Sequence, residues 1–471
     1  MTVALEALLI LLLPTALGVG LLRLAGRLPV WAELPVGAAM GVGVCGALSF
    51  LGLALFDRLT IVPELLAVGA VWIAPHRTDA AVRGTRALAP RWWRGASVAA
   101  LLGLAGLALF VWLRETVTHP DGGWDAWDFW IMRARFFVRA DEEWARAYAE
   151  VIHWTHPGYP PLWSSAIARG FALVGHESRA VPAILSAAFV VGTVALLGHT
   201  VTRLRGPAQG TLAAVTLLST PFFVVHGASQ YADLPLAFFF LALWSFTALH
   251  EETREPRHLV LAGLAASMAV LTKNEGLIVT LAFVLARGWE TRAGGRWRAH
   301  ARWLTIGFAP LGALYVWFRA RYAAVPASAD FYAAGSQRFD GVGPLEHVRM
   351  QLADADRWLG LVESWGHWLF SFDRGWPAPL LVGLAIYAAW VGLVPRAERS
   401  LSRSVGWALL IEALVLSVAF VAWSRWEIRV HMEAVERLLF QALPTGLLGL
   451  FLALRAPFAS AASEERVTGS R

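Results

Sequence analysis

Residues 231–249 read YADLPLAFFFLALWSFTAL, and this stretch decides the fold class. Asp233 is its only charged residue, and a helix of this length crosses the apolar core of a bilayer, which is about 30 Å thick. Comparable apolar runs recur along the whole chain. They predict about thirteen spans, near residues 3–22, 34–56, 60–75, 97–113, 180–198, 209–226, 231–249, 258–272, 275–288, 303–319, 377–394, 404–423 and 438–455. The sequence therefore predicts an all-α, polytopic transmembrane helical bundle.

The composition supports this prediction. Of the 471 residues, 57% are hydrophobic and 16% are charged, whereas about a quarter of the residues in a typical soluble domain are charged. The 24 tryptophans suit the two membrane–water interfaces, where amphipathic rings accumulate. Cys45 is the only cysteine, so the chain has no internal disulfide.

The net charge of +6 comes from arginines in short loops between apolar runs, so we expect membrane lipids rather than nucleic acid as partners. Under the positive-inside rule, the arginine-rich loops are cytoplasmic: 76–94, 287–302 and 395–403. The remaining loops then lie outside, and they include 114–179, 320–376 and 424–437. We expect the protein to lie in the inner (plasma) membrane of a bacterium, with any active site facing the periplasm or the exterior.

These loops divide the chain into four predicted parts. They are N-terminal transmembrane helices (1–96), a central transmembrane core with its outer loop (97–319), a second outer loop with an amphipathic helix (320–376), and C-terminal helices with a short tail (377–471).

The first outer loop has features of a functional site. Residues 124–138 alternate aromatic and charged side chains at helical spacing, which predicts a helix lying in the membrane interface. A second helix is predicted over residues 162–173, directly after Pro160 and Pro161. In the first helix, Asp125 and Asp128 share a face, and Arg133 and Arg135 follow. The pattern fits a pair of carboxylates held beside cations, and it also fits an ordinary solvated surface helix.

Asp233 and Lys273 lie at the outer ends of predicted spans, and Lys273 is the only lysine among 40 basic residues. Ionisable groups at this depth are costly, which favours a functional role, although a terminal lysine also reaches the headgroups by snorkelling. Arg437 precedes the last span, as do Arg429 and His431. Each of the three is either part of a functional site or an anchor in the membrane interface.

His153 and His156 are three residues apart, a spacing that suits two metal ligands on a helix. Pro157 interrupts such a helix, and no third ligand has a diagnostic spacing, so a hydrogen-bonding role is the favoured interpretation. The chain has no P-loop, G-x-G-x-x-G, G-x-S-x-G or H-E-x-x-H motif, which argues against nucleotide hydrolysis.

Four segments, GGWDAWDFWIMRAR, HPGYPPLWSSAIA, YADLP and LTKNEG, occur in this order between residues 122 and 276. Their order and shared side resemble the GT-C superfamily of membrane glycosyltransferases, in the branch of protein O-mannosyltransferases and the aminoarabinose transferase of lipid A. The resemblance covers most of 97–290 and, more loosely, 424–455. Three predicted spans precede the one leading into the first outer loop, where the family usually has one.

The resemblance implies inverting sugar transfer from a polyprenyl-phosphate donor to a glycan, lipid or protein acceptor outside the cytoplasm. It implies Asp125 as the catalytic carboxylate, with Asp128 as second choice, and Lys273, Arg133 and Arg135 as partners of the donor phosphate. The residues expected to support the acceptor or the site are Asp233, Tyr159, His156 and Arg437. No cofactor is identified with certainty, and a divalent metal ion is left open because carboxylates are present without a complete ligand set.

Two other classes share some of these features. A transporter or flippase for lipid-linked sugars also has many spans and intramembrane charges, but it predicts internal repeats and charges near the span centres. A non-catalytic scaffold predicts that substitution of Asp125 affects stability alone.

Overall fold

A computed structural model describes residues 2–77, 90–292, 295, 297–323, 344–371, 380–422 and 428–458. The structure does not describe the side chain of His153 or those of residues 428–434, which include Arg429 and His431. Much of the predicted cytoplasmic loop 76–94 and of the outer loop 320–376 is also outside it.

The described residues are mainly helical, and none of them belongs to a named strand. In chain order the α-helices are α1 (Val3–Ala25), α2 (Val30–Phe56), α3 (Val62–Ile73), α4 (Arg91–Thr118), α5 (Met132–Arg139), α6 (Leu162–Val174), α7 (Ala180–Arg205), α8 (Pro207–Leu218), α9 (Pro221–Ala228), α10 (Asp233–Thr253), α11 (Pro256–Thr272), α12 (Glu275–Arg292), α13 (Trp297–Arg321), α14 (Pro344–Ala353), α15 (Ala355–Ser371), α16 (Leu380–Val391), α17 (Ser400–Val421) and α18 (Ile428–Ala453). A π-helix (Ala126–Ile131) leads into α5, and 3₁₀ turns follow at Asp141–Tyr148 and Glu150–Thr155.

The prediction of an all-α polytopic bundle is confirmed. Helices occupy every predicted span, and seven of those described are long and apolar enough to cross a membrane, or eight if the bent pair α8 and α9 is one span. This count is lower than the thirteen predicted because α3, α11 and α16 are shorter apolar helices, and because α12 and α13 are not apolar enough to be counted. The chain is therefore an integral membrane protein.

Helix α10 forms the centre of the bundle. Its apolar window is fully buried, and it contacts α7, α11 and α18. A helix that is apolar on all sides is stable only when neighbours surround it. By contrast, α4 has no buried residue, as expected of a span that faces lipid. The N-terminal end of α10, at Asp233, is consequently enclosed on several sides by other helices.

Helices α1 and α2 pack so closely that glycine is required between them. A Cβ atom on Gly41 would lie 1.7 Å from the carbonyl oxygen of Pro14, and one on Gly18 would lie 1.8 Å from that of Gly37. Small residues allow this backbone approach in membrane helices, where dispersion contacts replace the hydrophobic effect between spans.

A buried ion pair attaches α6 to this N-terminal part. Arg169 on α6 donates to both carboxylate oxygens of Glu64 at 2.7 and 2.8 Å, and Ser49 donates to the same carboxylate. Arg169 also donates to the carbonyl of Ile10 at 2.9 Å. That carbonyl lacks its usual helical donor because Pro14 has no N–H group. Arg169 therefore supplies the hydrogen bond that the proline removes.

We expect Arg169→Met to lower the free energy of unfolding by about 3–5 kcal/mol, because it leaves the Glu64 carboxylate buried without its cation. Thermal unfolding in detergent measures this loss. Glu64→Gln combined with Arg169→Met should recover part of it. Arg146→Met is the control, since Arg146 pairs with Glu143 on the surface; equal losses for both arginines would contradict the assignment.

In the first outer loop, the helix predicted over 162–173 is confirmed as α6. The helix predicted over 124–138 is present but irregular, since its first part is the π-helix Ala126–Ile131. A π-turn widens the helix and is common at functional sites. It places Asp125 at the start of the element.

Candidate functional site: an ion-pair chain at the N-terminal end of α10

Five charged side chains from four distant parts of the sequence form one continuous chain of ion pairs. Asp125 pairs with Arg437 at 2.7 Å, and the same Arg437 nitrogen pairs with Asp233 at 2.7 Å. Asp233 in turn pairs with Lys273 at 3.2 Å, and Lys273 pairs with Glu275 at 2.8 Å. The structure thus brings together the first outer loop, α10, the α11–α12 turn and α18. We call these five residues the ion-pair chain.

Burial is greatest in the middle of the ion-pair chain. The side chains of Lys273 and Asp233 are 3% and 0% exposed, whereas those of Asp125, Arg437 and Glu275 are 14%, 23% and 17% exposed. Asp233 is therefore an internal anion that holds two cations, and both ends of the ion-pair chain are partly exposed.

Asp233 is the first residue of α10, where the positive end of the helix dipole stabilises a carboxylate. It accepts hydrogen bonds from Arg437 at 2.7 Å and from Gln441 at 2.5 Å. Arg437 and Gln441 are four residues apart on α18 and so lie on one face of that helix. The two donors satisfy a carboxylate that would otherwise be costly to bury.

Lys273 lies in the turn between α11 and α12. Its backbone is extended, which ends α11, and the next helix begins two residues later at Glu275. The ammonium group also lies 5.6 Å from the centre of the Tyr159 ring, within cation–π range. The sharp turn points a compact cation into the bundle at the level of Asp233.

Asp125 is positioned by two glycines. Gly122 has a φ of +75°, and Gly123 donates its N–H to the carbonyl of Ser229 at 3.0 Å. A Cβ atom on Gly123 would lie 2.3 Å from the hydroxyl of Tyr231. The ring of Tyr231 also lies 4.8 Å below the guanidinium of Arg437. The turn before Asp125 is therefore fitted to the loop that precedes α10.

Asp128, the second predicted carboxylate, lies on the π-helix and is partly buried. Burial raises the pKa of Asp128, and the nearby charge of Asp125 raises it further. A higher pKa makes a carboxylate a stronger base, so Asp128 stays the second candidate for the catalytic carboxylate although it is not in the ion-pair chain.

His156 and Tyr159 form an aromatic cluster beside Lys273. The rings of His156 and Phe129 are 5.0 Å apart, and those of His156 and Tyr159 are 5.3 Å apart. Burial lowers the pKa of His156 to about 4, despite the opposing charge of Asp125. His156 is consequently neutral at pH 7 and adds no positive charge here.

The structure does not bring Arg133 and Arg135 to the ion-pair chain. Arg133 is fully buried and donates to the carbonyls of Thr155 and His156 at 3.0 and 3.1 Å, so it shapes the segment that carries His156. Arg135 pairs with Glu177 at 3.1 Å, on the loop before α7.

Residues 156–317 match a protein-family model described as dolichyl-phosphate-mannose-protein mannosyltransferase. This segment is GT-C-like. It covers about a third of the chain and contains Tyr159, Asp233 and Lys273 with the helices α6 to α12. No curated protein and no solved structure matches the chain. The match confirms the resemblance seen in the sequence and supports a membrane glycosyltransferase of the mannosyltransferase type.

Three residues that contact the ion-pair chain or belong to it were not predicted from the sequence. Glu275 follows Lys273 by two residues in LTKNEG, and Tyr231 precedes Asp233 by two in YADLP. Gln441 follows Arg437 by four, a helical spacing that indicates a shared face. Each lies in a segment that was already singled out, but polar residues beside a charged one have no distinguishing signal of their own.

Among the described side chains, no group of three His, Cys, Asp or Glu residues converges as a metal site would require.

We expect Gly123→Ala to lower the free energy of unfolding by about 1–3 kcal/mol, because the added methyl group displaces Tyr231 in a packed site. Activity should fall as well, since Tyr231 supports Arg437. Thermal unfolding measures the first effect.

The Gly123→Ala cost should shrink in a Tyr231→Ala background, where the clash is removed. Gly103→Ala in α4 is the matched control, because its Cβ meets no atom within 4 Å. Equal effects of the two alanines would contradict the close approach of Gly123 to Tyr231.

Proposed function

We propose that this protein is a glycosyltransferase that moves a sugar from a polyprenyl-phosphate donor to a hydroxyl group of an acceptor on the extracytoplasmic side of the membrane. The observation that carries the proposal is the ion-pair chain, which joins the partly exposed carboxylate of Asp125 to two cations, Arg437 and the buried Lys273. Such a chain contains the two groups that the reaction needs: a base for the acceptor and cations for the leaving phosphate.

The ion-pair chain suggests how a donor enters. A phosphodiester is an anion, so it competes with Asp125 for Arg437, whose side chain is partly exposed. Asp233 is deeply buried and keeps its hydrogen bonds to Arg437 and Gln441. Donor binding therefore releases the Asp125 carboxylate from its cation, and the carboxylate becomes a stronger base when the substrate is in place.

Transfer then follows in one displacement. Asp125 accepts the proton of the acceptor hydroxyl, and the hydroxyl oxygen forms a bond to the anomeric carbon. The bond between that carbon and the phosphate oxygen breaks, and its electron pair leaves with the polyprenyl phosphate. Lys273 and Arg437 stabilise the added negative charge. A single displacement inverts the anomeric centre.

The assignment of the site to the extracytoplasmic side rests on the arginine-rich loops. Helix α12 begins at Glu275, beside Lys273, and ends at Arg292, and 18 helical residues extend for about 27 Å. The arginines of the loop 287–302 therefore lie at the opposite end of α12 from the site. With those arginines in the cytoplasm, the ion-pair chain faces outward.

Mass spectrometry of the cell-envelope glycans and lipids, with and without this protein, tests the proposal. We expect one glycan, lipid or protein to lose a sugar residue when the protein is absent, and Asp125→Asn to fail to restore it. Polyprenyl-phosphate mannose is the first donor to test with purified protein, because the matching family is described by a mannose donor. Movement of this donor across a liposome membrane without its consumption would instead indicate a flippase.

A further inference from the structure

A cavity of about 430 Å³ opens beside the turn that carries Asp125, separate from the ion-pair chain. The end of α4, the turn at Gly122, the π-helix, α5 and the residues before α7 form its walls. Gly122 and Trp127, which line it, lie just before and just after Asp125 in sequence. The volume is within the range of small-molecule sites, about 300–1,000 Å³.

The charges that line this cavity are mainly positive. Arg135 and Arg179 contribute two cations and Asp121 one anion, and His119 lies at the rim. Arg179 uses Nε to pair with Asp121 at 3.0 Å, and Arg135 uses Nε to pair with Glu177 at 3.1 Å. Glu177 is shared with a second arginine, Arg139, so its charge is already matched. A guanidinium has further N–H donors beyond Nε, and these suit phosphate or carboxylate oxygens.

An aromatic wall adds a second feature. The ring of Trp127 lines the cavity and meets that of Trp124 at 4.6 Å. Trp127 is 40% exposed and Trp124 is 62% exposed, although both rings are large and apolar. An exposed indole face beside hydrogen-bonding groups is well suited to stack on the C–H face of a sugar ring. The cavity thus combines a surface for a saccharide with cations for an acidic substituent.

We infer that this cavity is the acceptor subsite and that it takes a saccharide bearing a phosphate or carboxylate group. The name acceptor subsite rests on the proposed function, but the binding of an acidic saccharide does not require sugar transfer. The sugar stacks on Trp127, the acidic group contacts Arg135 and Arg179, and a hydroxyl group is thereby brought to the turn that carries Asp125. Neutral acceptors of the same size lack the ionic contacts.

Saturation-transfer NMR with full-length protein in phosphatidylcholine nanodiscs tests this binding. The probes are glucose 6-phosphate, glucuronic acid, glucose and inorganic phosphate. We expect the two acidic sugars to bind at least about tenfold more tightly than glucose or phosphate alone. Arg135→Gln with Arg179→Gln, and separately Trp127→Ala, should each weaken binding of the acidic sugars about tenfold. Arg146→Gln is the matched control and should leave binding unchanged, because Arg146 pairs with Glu143 on the surface and does not line the cavity.

Equal binding of glucose and the acidic sugars would overturn the inference, as would unchanged binding in the double arginine variant. Equal binding of inorganic phosphate would make the cavity a simple anion site, and loss of probe binding in phosphatidylglycerol nanodiscs would make it a lipid headgroup site; either result overturns the inference. The proposed function is tested separately, because Asp125 lies outside the cavity lining, so that Asp125→Asn should bind the acidic sugars normally while its sugar transfer falls strongly.

Discussion

Asp125→Asn should lower kcat for sugar transfer by about 10²–10⁴-fold, the usual contribution of a positioned general base. The amide has nearly the same shape as the carboxylate, so it still accepts a hydrogen bond from Arg437, but it no longer takes the proton of the acceptor hydroxyl. The assay is the transfer of radiolabelled mannose from polyprenyl-phosphate mannose by purified protein in liposomes.

Glu143→Gln is the control for this substitution, because Glu143 lies in the same loop and its side chain is 60% exposed on the surface. Its rate should equal that of the wild type. Thermal unfolding of the Asp125→Asn protein should remain close to the wild-type value, because Asp233 still pairs with Arg437. A kcat near normal in Asp125→Asn would show that another group, with Asp128 the first candidate, is the base.

Lys273→Ala should reduce transfer by about 10²–10³-fold, the effect of removing one donor from a site that stabilises developing charge. Product affinity should fall too, because the ammonium group contacts the same phosphate in the leaving group. The measurements are kcat and KM for the donor and the Kd of polyprenyl phosphate. Lys273→Arg should restore activity in part, since its charge is retained while its planar shape fits the turn poorly.

Lys273→Ala also leaves Asp233 and Glu275 with one cation fewer, so folding must be measured alongside activity. Rates are therefore normalised to protein that elutes as a single species. Arg254→Ala is the matched control, because it removes a 59% exposed cation from the opposite end of α10. An unchanged Kd for polyprenyl phosphate in Lys273→Ala would exclude the phosphate role.

Much of the fold could be predicted because the membrane restricts the possible structures. Spans require long apolar runs and satisfied backbone hydrogen bonds, so the helices follow directly from the sequence. The π-helix at Ala126–Ile131 could not be predicted, because an extra residue in a helical turn has no compositional signal. The break between α8 and α9, bent by 61°, likewise depends on tertiary packing rather than on Pro221 alone.

The members of the site could be predicted in part, for a related reason. Asp233, Lys273 and Arg437 were noticed because a charge near the end of an apolar span is costly and needs an explanation. That cost does not indicate which charges pair with each other. The contact between α18 and the first outer loop is visible only in the folded structure. Arg133 shows that a charged residue near the predicted site need not belong to it, because its guanidinium donates to the backbone carbonyls of residues 155 and 156.

The most direct test of this account is the structure of the protein bound to a donor analogue that cannot transfer its sugar, such as a polyprenyl phosphonate of mannose. We predict that the phosphonate contacts both Lys273 and Arg437, that Asp233 keeps its hydrogen bond to Arg437, and that Asp125 has moved from Arg437 towards the anomeric carbon. A phosphonate bound elsewhere, with the pair of Asp125 and Arg437 intact, would contradict the account.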